Sequence, residues 1–300
     1  MNIKDRMQGL VPRLSKRAFW TAMSLAVALT HQTLVLGMCI TELRHPVGRL
    51  QSRLGMSPQQ LGFFEKLDHL RDLPSRKVAL LDWSARNPVP FQDAWDIQKY
   101  IVEKHFERIK ADKAQFGTEH GDSIIMLQHE PVYTLGTGSD PSFVLSVDID
   151  VVRMDRGGEV TYHGPGQLVV YPILDLRGYN QDIHWFMRAL EEAVLLALKK
   201  AGIDGAERQT DVTGVWIDNR KVAALGIKAR RWITMHGLAV NVERSSLANF
   251  KGIVPCGLEG RDVACINDFL LQPLTVSDFA VHMKEALEEI FCIRLLDTKI

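Results

Sequence analysis

The chain has 300 residues, enough for one large domain or two ordinary ones, and 46% are hydrophobic, which supports a substantial core. Its 36 basic and 36 acidic side chains cancel, so no global field draws in nucleic acid or an anionic membrane. Four cysteines with no CxxC spacing and no His/Cys cluster argue against a zinc site, and they are too sparse for a disulfide framework, which points to a reducing compartment.

The N-terminal quarter differs in composition from the rest. Lys4, Arg6, Arg13, Lys16 and Arg17 face a single acid, Asp5, in the first 17 residues. An apolar stretch, "AFWTAMSLAVALTHQTLVLGMCI", follows, with His31 and Gln32 where hydrocarbon would be deepest. Residues 44–64 then carry three arginines and no acid. Basic, acid-poor, hydroxyl-bearing sequence is the composition of an organelle-targeting segment; a membrane anchor or a plain helical extension are the other readings. The shift near "LPSRKVALLDW" sets the expected boundary: 1–77 an extension, 78–300 the catalytic domain.

From Lys77 onward strand and helix signals alternate. "KVALLDW" reads as a strand, and "PFQDAWDIQKYIVEKHFERIK" as a surface helix with Phe91, Trp95, Tyr100, Val102 and Phe106 near helical spacing. "DSIIMLQ" and "VYTLG" read as strands joined by a turn around His129–Pro131. "GQLVVYPILDL" is a long β-branched run suited to a central strand buried on both faces. "QDIHWFMRALEEAVLLALKKAG" is an amphipathic helix that Gly202 stops. "GVWIDNRKVAALGIK" reads as a hairpin turning at Asp218–Asn219, and "WITMHGLAVNV" as a strand pair or one strand bent at Gly237. A helix capped by Thr275 or Ser277 closes the chain. The sum is an α/β (α+β) domain on a mixed β-sheet flanked by helices.

The densest anomaly is "RGGEVTYHGPGQ", residues 156–167, with four glycines, a proline, an arginine and a histidine. Neither GxGxxG nor GxxxxGK[ST] fits its spacing, so nucleotide-phosphate loops of those kinds are unsupported. Two readings remain: a tight hairpin, or a binding loop with outward amides at Gly157–Gly158 beside an exposed Arg156 guanidinium. His129, His163 and His236 each lie beside Gly or Pro at the edge of a strand-like run, which hints at one shared rim. Strict alternation puts Lys221, Ala223, Leu225 and Ile227 on one face and Lys228 on the other, beside Arg230. Lys221 at the mouth of an apolar cleft would exchange protons near neutrality and favour a neighbouring thiolate, unless it is a solvated strand-end lysine. Cys256, in "IVPCG", is either a small buried filler or a thiol presented at a strand end; Cys265, in "VACI", reads as filler.

Taken together, "RGGEVTYHGPGQLVVYPILDL", "KVAALGIK", "HGLAVNV" and "IVPCG" resemble the signatures of the lipoyl(octanoyl) transferase family, in the same order over about residues 79–290. The resemblance implies the fold of the biotin protein ligases and lipoate-protein ligases. It also implies transfer of an octanoyl group from octanoyl-acyl carrier protein to a lysine on the lipoyl domains of 2-oxoacid dehydrogenase complexes and the glycine cleavage H protein. No ATP, metal or other cofactor and no nucleic acid enters that reaction. Matched to the family, Cys256 is the acyl-thioester nucleophile and Lys221 the lysine that lowers its pKa and moves protons. Arg156, Gly157, Gly158, Glu159, Val160, Thr161, Tyr162 and His163 match the substrate loop. Ala224, Leu225 and Gly226, with Gly237, Leu238 and Ala239, match two further substrate-contacting segments. A rim at Lys228, Arg230 and Arg231 is expected to meet the carrier protein. The extension resembles that of organellar precursors, plastid or mitochondrial. The rival readings are an ATP-dependent ligase of the same fold, an amidotransferase between lipoyl domains, and a non-catalytic binder of acyl carrier protein.

Overall fold

A computed structural model describes residues 76–111, 121–146, 148–210, 212–254 and 262–298. Residues 1–75 of the extension and Cys256 lie outside these residues, and the expected boundary at 77/78 falls within the first described strand, Arg76–Asp82. Among the described residues no helix is long and apolar enough to cross a membrane.

Among the described residues, ten strands and three longer helices make up the fold. Strand β1 (Arg76–Asp82) is followed by helix α1 (Phe91–Ala111), β2 (Ser123–Leu127), β3 (Val132–Leu135), β4 (Val151–Arg153) and β5 (Thr161–His163). Then come β6 (Gln167–Ile173), α2 (Ile183–Lys200), β7 (Val215–Ile217), β8 (Arg220–Arg230) and β9 (Ile233–Asn241). Helix α3 (Val276–Phe291) and β10 (Ile293–Asp297) are the last of the described elements. Seven strands form a mixed sheet in the order β10–β1–β2–β6–β9–β8–β7, in which β1 runs parallel to β10 and β2 and the remaining pairs are antiparallel. Strands β4, β3 and β5 form a small second sheet. The two apolar runs either side of His129 therefore belong to different sheets.

Alternation explains the layering. On β6, Leu168 and Val170 enter the core beneath α2 and α3, while Val169, Tyr171 and Ile173 enter the core beneath α1. All seven β6 residues are buried, as expected for a strand covered on both faces. Each such Leu, Val or Ile contributes about 1.5–3 kcal/mol by leaving water. Strand β9 repeats the pattern, with Leu238 and Val240 on one side and Ile233, Met235 and Ala239 on the other.

Local signals fix the ends. The Asp182 carboxylate accepts the Trp185 N–H at 3.1 Å and starts α2, and Gly202, at φ 83°, follows its end. At α3 the choice between two caps is resolved: Thr275 Oγ1 accepts the Asp278 N–H, and the Asp278 carboxylate accepts the Thr275 N–H. The hairpin between β7 and β8 turns at Asp218 and Asn219, both at positive φ, as a two-residue primed turn requires.

Strand β9 is one continuous strand, and its distortion sits at His236 (φ 60°) rather than at Gly237. Gly237 is needed for a different reason. A Cβ there would lie 2.2 Å from the Val170 carbonyl oxygen, so a side chain would wedge β9 away from β6.

Candidate active site

Residues from the Gly-rich segment, β6, α2, β8 and β9 enclose a cavity of about 530 Å³. Lys221 lines it, together with Arg156 through Thr161, His163, Ala224 through Gly226 and Gly237 through Ala239. Every described residue matched to the family's catalytic and substrate-binding positions thus lines this cavity except Tyr162. That side chain turns into the small core with Tyr133 and Phe250, and its hydroxyl accepts from Asn249 Nδ2 at 3.0 Å. Sequence reasoning did not single out Met154, Ile183, Met187, Val212 or Thr213 as lining residues. The apolar stripe of α2 was the available signal for Ile183 and Met187.

The Gly-rich segment is neither of the two forms expected. Its guanidinium is inside: Arg156 is 7% exposed, Nη2 donates to the carbonyl and hydroxyl oxygens of Thr134 (3.0 and 2.9 Å), and Nη1 donates to the Gly157 carbonyl (3.0 Å). The Gly157 amide donates to Ile227 O on β8 at 3.0 Å, and Thr137 N–H donates to Arg156 O at 3.0 Å. The exposed guanidinium and the outward Gly157 amide are therefore corrected. Arg156 pins the segment to Thr134 on β3, because a buried guanidinium has to place its donors on oxygens, while the Gly157 amide ties it to β8.

Strict alternation along β8 also fails. The register with β7 shifts between Val215 and Trp216, and Val222 and Ala223 both pack into the core under α2 and α3. This bulge separates Lys221 from the face of Ala223. The lysine lines the cavity instead, with its ammonium 5.4 Å from the Trp216 ring centroid. Its backbone joins the segment after Cys256: Lys221 N–H donates to Asp262 O (2.9 Å), and Ala264 N–H donates to Lys221 O (3.0 Å). Lys228 is bound to Asp155 and is not part of the cavity wall. Arg230 pairs with Glu103 at 3.2 Å and lies over the Phe106 ring, so two of the three rim cations already hold acids.

His129, His163 and His236 do come together, but inside the protein rather than at a rim. The rings of His129 and His163 are 5.8 Å apart, and Tyr171 bridges His129 (5.8 Å) and His236 (6.4 Å). Hydrogen bonds fix their tautomers. His129 Nδ1–H donates to Val89 O (2.8 Å), so its Nε2 accepts the Tyr171 hydroxyl (2.7 Å). Gln167 Nε2 donates to Asn241 Oδ1, leaving its Oε1 to accept His163 Nδ1–H at 2.7 Å. His236 Nε2–H donates to the Asp155 carboxylate at 3.0 Å. Among the described residues His236 Nδ1, which is buried, has no partner.

Burial keeps all three rings neutral. It lowers His129 to about 4 and His163 to about 3, with the His129 charge adding to the latter. Burial likewise lowers His236 to about 4, partly offset by Asp155. These values lie below the ordinary 6.5, so the unfolded chain binds the extra protons as the pH falls beneath 6.5. The stability from the neutral rings is complete above that pH and is lost on acidification toward 4 and then 3. Thermal unfolding followed from about pH 7.5 to 4 is expected to show a falling midpoint, with a shallower decline in His163→Gln. An unchanged slope in that variant would contradict the assignment. Among the described residues no group of three or more His, Cys, Asp or Glu side chains could hold a metal ion.

A mixed sheet between helices, with a lysine and a glycine-rich segment at one cavity, defines the class. The chain belongs to the lipoyl protein ligase A/B catalytic domain family, whose model matches residues 90–288. It is 40% identical over 215 residues to the octanoyltransferase of Nostoc punctiforme, covering 70% of this chain and 88% of that one. It is 46% identical over 187 residues to a chloroplastic octanoyltransferase of Arabidopsis thaliana, covering 61% of this chain and 64% of that protein's length. These relatives place the chain among the acyltransferases of the family. The fold alone is shared with a bi-partite lipoate protein ligase from Thermoplasma acidophilum (TM-score 0.53, 18% identity, 76% of this chain and 88% of that one). It is shared equally with a lipoate-protein ligase A bound with ATP (TM-score 0.53, 17% identity, 76% and 90%).

Proposed function

We propose that this chain moves an octanoyl group from octanoyl-acyl carrier protein to a lysine of a lipoyl domain through an acyl thioester on Cys256. The observation that carries the reading is the single cavity that gathers Lys221 and all of the matched substrate residues except Tyr162. The Cys256 thiolate attacks the thioester carbonyl carbon, forming a new C–S bond. Collapse of the tetrahedral intermediate breaks the bond to the pantetheine sulfur, which takes a proton from Lys221. In the second half-reaction the lysine amine of the acceptor forms the C–N bond, the bond to Cys256 breaks, and Lys221 accepts the amine's proton. Thioester to amide runs downhill, so neither nucleotide nor metal is needed.

The acceptors in this reading are the lipoyl domains of 2-oxoacid dehydrogenase complexes and of the glycine cleavage H protein. Residues 1–77 serve as an organelle-targeting segment, a reading supported by their composition and by the chloroplastic relative. The ATP-dependent rival is separated by one assay. The full chain mixed with octanoyl-acyl carrier protein and a lipoyl domain, without ATP, is expected to add one octanoyl group to the acceptor, read by mass. Transfer that requires ATP and the free acid would overturn the proposal.

A further inference from the structure

Helix α2 carries a carboxylate where its stripe is apolar. Phe186, Ala189, Leu190, Ala193, Val194 and Ala197 are buried on it, and Glu191 lies among them at 0% exposure. A buried carboxylate is costly unless its oxygens are hydrogen-bonded. Glu191 Oε2 accepts Arg188 Nη1 at 2.7 Å, and Oε1 accepts the backbone N–H of Gly214 at 2.9 Å. Gly214 has φ 145°, which side-chain-bearing residues rarely adopt, and it rests against the catalytic lysine of the reading above. A Cβ at 214 would stand 2.6 Å from Lys221 Cε and 3.3 Å from its Nζ. The preceding residues, Val212 and Thr213, line the cavity. Glu191 therefore clamps the loop that forms one side of the lysine's channel, and the Trp216 ring faces the same ammonium.

We propose that Glu191 is a positioning residue for Lys221, acting through the Gly214 amide. The proposal rests on the acyl-transfer reading and adds to it the group that holds the proton-transferring lysine at its working geometry. Loss of that hold lets the 212–214 loop and the lysine shift together, and shifts of about 1 Å cost up to about 100-fold in rate.

The test is single-turnover octanoylation of the full chain by octanoyl-acyl carrier protein, followed by intact mass. Glu191→Ala is expected to lower the saturated rate by about 10- to 100-fold, with the donor concentration at half-saturation within about twofold. Glu191→Gln, whose Oε1 still accepts the Gly214 N–H, is expected to stay within about threefold of wild type. Glu191→Asp keeps the charge but withdraws the oxygen, and is expected to fall with the alanine variant; it gives the answer if the alanine variant does not fold. A wild-type rate in the alanine or aspartate variant, or a glutamine variant as slow as the aspartate one, overturns the proposal. A wild-type chain that forms no adduct overturns the acyl-transfer reading instead.

Discussion

Lys221→Ala is expected to slow both half-reactions by roughly 10²–10⁴-fold, the range a positioned general acid and base supplies. Lys228→Ala is expected to leave turnover within about twofold, because exposed ion pairs contribute little. The two lysines are seven positions apart on one strand, so the contrast tests placement and not composition. The bulge puts Lys221 in the cavity wall, between Gly214 and the Trp216 ring, with its backbone bonded to Asp262 and Ala264. Lys228 is bonded to Asp155 in an exposed pair outside that wall. Rapid-mixing measurement of acylation and of transfer resolves the two steps. Equal losses in the two variants would show that the cavity does not select the proton carrier.

Cys256→Ala is expected to remove transfer altogether, a loss on the order of 10⁴-fold or more, since a nucleophile has no substitute in a two-step mechanism. The flanks support this choice of thiol. Ile253 pairs with Val144, Val254 N–H donates to Phe143 O at 2.9 Å, and Asp262 returns to Lys221. Cys265 offers a control. It is fully buried, and burial with the nearby Asp268 charge pushes its thiol pKa up, so it stays a thiol. Cys265→Ala is expected to keep acyl transfer, measured as octanoyl mass gained by a lipoyl domain. A Cys256→Ala variant that still turns over, or a Cys265→Ala variant that does not, would reverse the assignment.

Period and turn chemistry made the large elements legible. The β6 run suits a buried central strand, and Asp218–Asn219 reads as a hairpin turn, although Asn-Gly would be the stronger signal. Strand β4 went unseen because three residues with Val151 exposed carry no pattern. Strand β10 was missed for another reason: Cys292 adopts the left-handed conformation (φ 51°) that a glycine would have announced.

At the site, sequence named the positions better than their orientations. Arg156 was visible beside two glycines, but its inward turn depends on Thr134, 22 residues earlier on β3. The bulge that frees Lys221 from the face of Ala223 has no residue signature in β8. Three histidines spread from 129 to 236 meet because the turn after β2, strand β5 and strand β9 converge on Tyr171 and Phe91. Glu191 did leave a trace, a charge on an apolar stripe, although its partner Gly214 could be found only in three dimensions.

The most direct test of the covalent mechanism is the intact mass of the full chain after mixing with octanoyl-acyl carrier protein and no acceptor. One octanoyl group per chain is predicted, absent in Cys256→Ala and discharged when a lipoyl domain is added. A wild-type chain that stays unmodified while transfer proceeds, or an adduct that survives in Cys256→Ala, would contradict the account.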